Sequence, residues 1–243
     1  MKITVSIILA TSMMLIATGC IKEDPCLHGV GLIKEITLTL DSFNSIDLKS
    51  SENVVISYGE KQEVVARGHA NIIEKLNTRV VNGTWEIALE PGCYNFYEMK
   101  IYITIPDLKK VEANGSGDVL IENFTNVGNR NIENNGSGKI SLHSVTGTEV
   151  LDVKMAGSGA VQCYESLPDL KKLMVAISGS GAFMGFPATT GDCTVKSSGS
   201  GNCEVKVSNN LNVTISGSGN VYYKGSPEIV SSDSGSGQLI SRN

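Results

Sequence analysis

Seven copies of Gly-Ser-Gly, beginning at Gly115, Gly136, Gly157, Gly179, Gly199, Gly217 and Gly235, recur through the second half of this chain at steps of 21, 21, 22, 20, 18 and 18 residues. A near-constant step of that length marks a repeat architecture, in which each unit buries its apolar face only against its neighbours. Four positions before the first glycine stand Val111, Ile132, Val153, Val175, Val195 and Val213; four after it stand Val119, Ile140, Val161, Phe183, Cys203, Val221 and Leu239. Around these columns apolar and polar residues alternate, as in Cys193-Thr194-Val195-Lys196 and Cys203-Glu204-Val205-Lys206-Val207, the period of a half-buried strand. Each repeat therefore reads as strand, Gly-Ser-Gly corner, strand and polar connection.

An antiparallel meander and a solenoid both fit that unit. The meander would use each tripeptide as a hairpin loop, with glycine at positive φ. The solenoid is favoured, because the same chemical type recurs at the same offset in successive repeats, and stacking parallel strands in register demands this whereas hairpins do not. The first column is also almost entirely β-branched, as suits a buried pleated surface. In the last repeat Ser231 and Asp233 occupy the inward positions, and Ser241-Arg242-Asn243 follow Leu239, so the apolar columns turn polar as a cap would.

The rest of the chain agrees with an all-β fold. Only 5% of residues are aromatic, the net charge is −5, and the one candidate helix beyond the N-terminus, Asn71 to Leu76, is short. Residues 36–110 carry strand signals without the tripeptide, as in Asn53-Val54-Val55-Ile56-Ser57 and Lys100-Ile101-Tyr102-Ile103-Thr104-Ile105. They read either as the first half of the same β structure or as a small lobe beside it. The expected organisation is a leader over 1–19, a linker over 20–35, an N-terminal β-rich lobe over 36–110 and a solenoid of about seven Gly-Ser-Gly-cornered coils over 111–243.

The leader reading rests on Lys2, the apolar run Ile3 to Ala17, and the small residues that precede Cys20. The run is too short and too early for a stable spanning helix. A cysteine in that position resembles the bacterial lipoprotein signal, which makes Cys20 the lipidated first residue of the mature chain and the membrane its first partner. The alternative is an ordinary leader cut elsewhere. Ile21-Lys22-Glu23-Asp24 resembles the acidic signal that sends some lipoproteins to the outer face of the outer membrane; the competing location faces the periplasm.

Five cysteines remain after Cys20. Cys163, Cys193 and Cys203 fall on inward strand positions, where cysteine behaves as a small buried hydrophobe, while Cys26 and Cys93 lie in loop-like sequence and could pair. No metal site is expected, since His28, His69 and His143 are scattered and no Cys-x-x-Cys occurs.

The lipoprotein leader, the β-rich first half, the phrase Ile105-Pro106-Asp107-Leu108-Lys109-Lys110-Val111-Glu112-Ala113-Asn114-Gly115-Ser116-Gly117 and the recurring corners together resemble the head GIN domain family, described as putative auto-transporter adhesins. The resemblance spans about residues 36–243 and implies a right-handed parallel β-helix without catalytic residues to carry over. Asn114 and Asn135 depart from the serine that usually precedes the corner.

A polysaccharide lyase or glycosidase is the natural catalytic rival and needs carboxylates held at a set separation. Asp118 follows the first corner, but its equivalents are Lys139, Ala160, Ala182, Asn202, Asn220 and Gln238, so no acidic column forms. Ser116, Ser137, Ser158, Ser180, Ser200, Ser218 and Ser236 have no partnering histidine and read as a structural ladder. Gly117, Gly138, Gly159, Gly181, Gly201, Gly219 and Gly237 complete the corners, where glycine is expected for positive φ and close approach and serine for a hydroxyl that satisfies nearby backbone. The tripeptide lacks the lysine of a phosphate loop, no cofactor is indicated, and a negative chain bound for export argues against nucleic acid. Tyr94-Asn95-Phe96-Tyr97 is the candidate ligand contact, able to stack on a sugar ring or anchor a protein, the competing role being packing against the first lobe. The expected function is a binding or adhesin-like envelope module; a structural envelope protein and a polysaccharide-active enzyme are the alternatives.

Overall fold

A computed structural model describes residues 26–125 and 128–243; the leader and Cys20 lie outside the described residues. The two sequence columns become two ladders of parallel strands. The first runs through Thr84–Ile87, Ser45–Leu48, Lys110–Ala113, Gly128–Asn134, Thr148–Met155 and Lys172–Ile177, then through the later parts of Ala182–Ser197 and Cys203–Ile215, to Glu228–Asp233. The second runs through Met99–Ile105, Asn53–Tyr58, Val119–Glu122, Lys139–His143 and Ala160–Cys163, then through the early parts of the same two long strands, to Val221–Lys224 and Leu239–Ser241. The fold is a parallel β-solenoid.

Register follows the columns residue for residue. Val111, Ile132, Val153, Val175, Val195 and Val213 stack directly and are at most 2% exposed. The column extends to Ile46 and Trp85 at one end and to Ser231 at the other. Each aliphatic side chain so buried contributes about 1.5–3 kcal/mol relative to exposure, which makes the two columns the core. Cys163, Cys193 and Cys203 lie within it, and burial pushes the Cys163 and Cys193 thiols up to about 12 and Cys203 upward as well.

The corners depart from expectation in their cause. None of their glycines has positive φ; among the described residues that conformation belongs to Gly31, Gly83, Gly147 and Gly225 and to four non-glycine residues. A side chain is excluded instead by the neighbouring coil. A Cβ on Gly157 would lie 2.0 Å from the Gly136 carbonyl oxygen, and one on Gly179 would lie 2.1 Å from that of Gly157. The serine hydroxyls do not satisfy the turn either, because the backbone does so between coils: the Ser158 and Ser180 N–H groups donate to the carbonyls of Gly136 and Gly157 at 3.1 Å. Ser158 itself is exposed, its hydroxyl 3.4 Å from that of Ser137.

Two coils lack the tripeptide. The corner between Ser45–Leu48 and Asn53–Tyr58 is Lys49-Ser50-Ser51-Glu52, and Cβ positions on Gly115 and Gly117 would strike the Ser50 and Glu52 carbonyls as later glycines would strike each other's. The outermost coil, Thr84–Ile87 with Met99–Ile105, follows this one in sequence yet stacks on its far side. Its corner is the long loop 88–98 in place of a tripeptide, and side chains are accommodated at residues 50–52. Glu63–His69, antiparallel to Met99–Ile105, pairs in turn with Ile33–Thr37. Val80–Val81 pairs antiparallel with Thr84–Ile87, so both ladder edges are covered at this end. The short helix is Ala70–Ile73, with Ile72 and Ile73 buried; among the described residues no helix is long and apolar enough to cross a membrane.

At the opposite end Ser231 and Asp233 pair with Val213 and Ile215, and Glu228–Asp233 is exposed along its length. Polar groups stand where another coil would need an apolar column, which discourages further stacking.

Candidate functional site

Two surfaces stand apart from the repeat, namely the loop over the N-terminal coil and a notch on the outer face of the first ladder. The loop is tied down at several points. Cys93 is disulfide-bonded to Cys26, and Tyr94–Asn95 pairs in parallel with Leu27–His28. The Tyr94 hydroxyl donates to the Glu90 carbonyl at 2.7 Å, and the Glu98 N–H donates to His69 Nδ1 at 3.1 Å.

Tyr97 turns inward and donates to Oε1 of Glu52 at 2.6 Å. Glu52 is 4% exposed and its Oε2 has no hydrogen-bond partner. Burial, and then the bond to Glu52, push the Tyr97 phenol well above its ordinary 10.0. A glutamate in a glycine's place on the corner is thus accommodated: its side chain is buried and bonded to the long loop's own tyrosine. Tyr94 packs edge-on against Tyr97, with ring centroids 6.4 Å apart. Of the four residues singled out in this loop, Phe96 is the one thrust into solvent, 79% exposed at φ 52°, with the His28 ring against it edge-to-face at 5.2 Å.

The notch forms where small residues interrupt an outward column of long ones. Reading along the coils, that column is Glu112, Glu133, Lys154, Ala176, Lys196 and Thr214. Ala156 and Ser178 lie beside it, two residues further along their strands, and the depression between Lys154 and Lys196 has a volume of about 420 Å³. A second depression of about 220 Å³ shares Ala176 and Lys196 and adds Asp152, Lys172 and Met174. Lys154 lies 3.3 Å from Glu133, whereas Lys196 and Lys172 have no carboxylate within ion-pair distance among the described residues. The site offers an apolar floor, with the unpaired Lys172 and Lys196 at its rim beside the carboxylates of Glu133 and Asp152. It can hold a ligand that combines an apolar face with negative charge or with hydrogen-bond acceptors.

Towards the N-terminal coils the same face closes on itself. Lys110 bridges Glu112 at 2.8 Å and Glu133 at 3.1 Å, which holds the Glu112 carboxyl below its ordinary range and Lys110 above its own. The unusual Asn114 and Asn135 form a rung of their own: Asn135 donates to Asn114 Oδ1 at 3.0 Å, and Asn114 donates to Asp47 at 2.7 Å. The free lysines near Ala176 are therefore local to the middle coils. Ala176 does not stand out in the sequence taken by itself. The signal that could have found it was the break in the outward column, which becomes visible once the inward columns have fixed the register.

Residues 42–227 match the domain family described as "Putative auto-transporter adhesin, head GIN domain". Among solved structures the chain is similar to a putative adhesin from Bacteroides fragilis, with a TM-score of 0.81 at 24% identity over 88% of this chain and 99% of that one. It is also similar to a putative adhesin from Parabacteroides distasonis, with a TM-score of 0.65 at 16% identity, again over 88% and 99%. A putative lipid binding protein from Parabacteroides distasonis gives 0.63 at 20% identity over 89% and 99%. At these identities the likeness is one of fold. No match was found among curated proteins.

Proposed function

The chain belongs to the head GIN domain family of putative auto-transporter adhesins, and from that membership we propose that it is a lipid-anchored, non-catalytic binding module of the cell envelope. Cys20, preceded by the apolar run and small residues of the leader, is the attachment point, and the acidic Glu23-Asp24 after it supports display on the outer face of the outer membrane. The ligand, a glycan chain or a protein surface, lies on the outer face of the first ladder.

The observation that carries this reading is the notch at Ala176, with its apolar floor and the unpaired Lys172 and Lys196 at its rim. Outward side chains repeat at the rung spacing of about 4.8 Å, so a chain-like ligand can meet equivalent groups on several coils, and individually weak contacts add up. Binding should be measured against a panel of acidic and neutral glycans and envelope proteins. Ala176→Arg fills the notch from the solvent side and should lower affinity at least tenfold with the circular dichroism spectrum unchanged. Undiminished binding by that variant would remove the notch from the proposal, and turnover of any polysaccharide would overturn the non-catalytic reading.

A further inference from the structure

We infer that the N-terminal cap is a membrane-docking surface, with Phe96, Val30, Leu32 and Leu27 inserting into the interface of the bilayer that holds the anchor. Phe96, Val30 and Leu32 are 79%, 63% and 84% exposed and Leu27 is 37% exposed. All four belong to one short segment and the loop paired with it. Leu27–His28 lies alongside Tyr94–Asn95, the Gly29 N–H donates to the Asn95 carbonyl at 3.3 Å, and a Cβ on Gly29 would lie 2.9 Å from the Phe96 carbonyl oxygen.

The patch is built and held in place. Phe96 sits at a φ of 52°, a left-handed conformation that is uncommon and costly for a bulky residue. It is held there from both sides: Tyr94 and Tyr97 are pinned inward by their hydroxyl bonds, and the Cys26–Cys93 disulfide fixes the strand pair beneath. On the facing segment Asn71 clamps the chain, its Oδ1 accepting from the Val30 N–H at 3.1 Å and its Nδ2 donating to the His28 carbonyl at 2.8 Å. An ordered framework that presents bare aliphatic and aromatic side chains to water leaves them available to an apolar phase.

The occupant follows from where the chain leads. The inference rests on the reading of Cys20 as lipidated. Five residues, 21–25, separate Cys20 from the disulfide-bonded Cys26, and six backbone steps span at most roughly 20 Å. The patch therefore cannot leave the neighbourhood of the acyl chains. A lipid anchor supplies proximity, and exposed side chains at that distance add an interfacial contact that fixes orientation. Lys34, Glu35, the pairing partner Arg67 and Glu98 lie near the patch in sequence or pairing, a mixed set of both signs that suits zwitterionic headgroups. Docked in this way, the stack of coils rises from the bilayer. The coil of Ala176 is five rungs from the Thr84–Ile87 coil, which sets the notch roughly 24 Å along the stack from that coil at about 4.8 Å per rung.

The test uses the full lipidated protein reconstituted in phosphatidylcholine vesicles, with and without lipids brominated on the acyl chain, and compares Phe96→Trp with the wild type, whose Trp85 is buried in the core. Docking predicts that the introduced indole emits to the blue of its position in a Cys20→Ser background and loses at least half of its intensity to brominated lipid, while Trp85 loses none. Leu32→Trp, at the most exposed of the four positions, should report the same and serves if the loop does not tolerate an indole. Mass spectrometry of the same preparations separates the two readings. Lipidated protein with an unquenched indole overturns docking alone, and an unmodified Cys20 overturns the anchor and docking together. An indole that shifts blue with protein concentration but ignores brominated lipid assigns the patch to a second copy and also overturns docking.

Discussion

At the scale of single residues the corner glycine is the most constrained position, and its constraint is distance rather than dihedral angle. Gly157 faces a carbonyl oxygen that would lie 2.0 Å from any Cβ, and the obstacle is backbone shared with the next coil, so it cannot swing aside as a side chain would. Gly157→Val should therefore cost about 3 kcal/mol or more in denaturant unfolding, whereas Ser158→Ala, at an exposed hydroxyl, should stay within about 0.5 kcal/mol. Tyr97 and Glu52 form the second sensitive pair. Tyr97→Phe strips the buried carboxylate of its donor and should cost about 1–3 kcal/mol. Because the Tyr97 phenol is harder to ionise folded than unfolded, its contribution is complete below the ordinary value of 10.0 and is lost as pH rises through the folded value. In a spectrophotometric titration one tyrosine should resist ionisation until the fold gives way. The buried thiols make a parallel case: with pKa values pushed up to about 12 at Cys163 and Cys193, and raised at Cys203, native protein should show no reaction with a thiol reagent at pH 8 and three equivalents after unfolding.

At the scale of elements each coil is an interchangeable rung. Neighbours contribute one strand to each ladder and pair in register with the coils on either side, so stability is close to a sum of coil and interface contributions. Deleting residues 179–198, one full step of the repeat, joins Ser178 to Gly199 and restores a Gly-Ser-Gly corner at the same register. The shortened protein should keep its β-type circular dichroism and melt cooperatively at a lower temperature; loss of folded structure would show that the coils are less equivalent than their register implies. The cap is not interchangeable in this way. Its disulfide closes a separation of 67 residues, so reduction or Cys93→Ser should lower stability by about 2–4 kcal/mol and free the loop that carries Phe96, which thermal melts with and without reductant would register.

For the molecule as a whole the consequence is a rod with two different ends and one interrupted face. The capped end carries the chain towards Cys20, the far end closes on Ser231 and Asp233, and the middle coils hold the notch. Cys20→Ser should move the protein from the membrane fraction to the soluble fraction, and persistence in the membrane fraction would reject the anchor. The sequence by itself determined the solenoid, its register and its core, because parallel stacking copies each side chain onto its neighbour and so writes the tertiary contacts as a period along the chain. Only the tertiary structure decided what breaks that period. The coil 45–58 hides behind Ser50, Ser51 and Glu52, and the outermost coil stacks out of chain order. Tyr97 turns inward while Phe96 turns out, and the notch depends on Ala176 lying between Lys154 and Lys196 from adjacent coils. Each of these is a contact made once, between segments brought together by the winding of the chain, and a contact made once leaves no repeat to read.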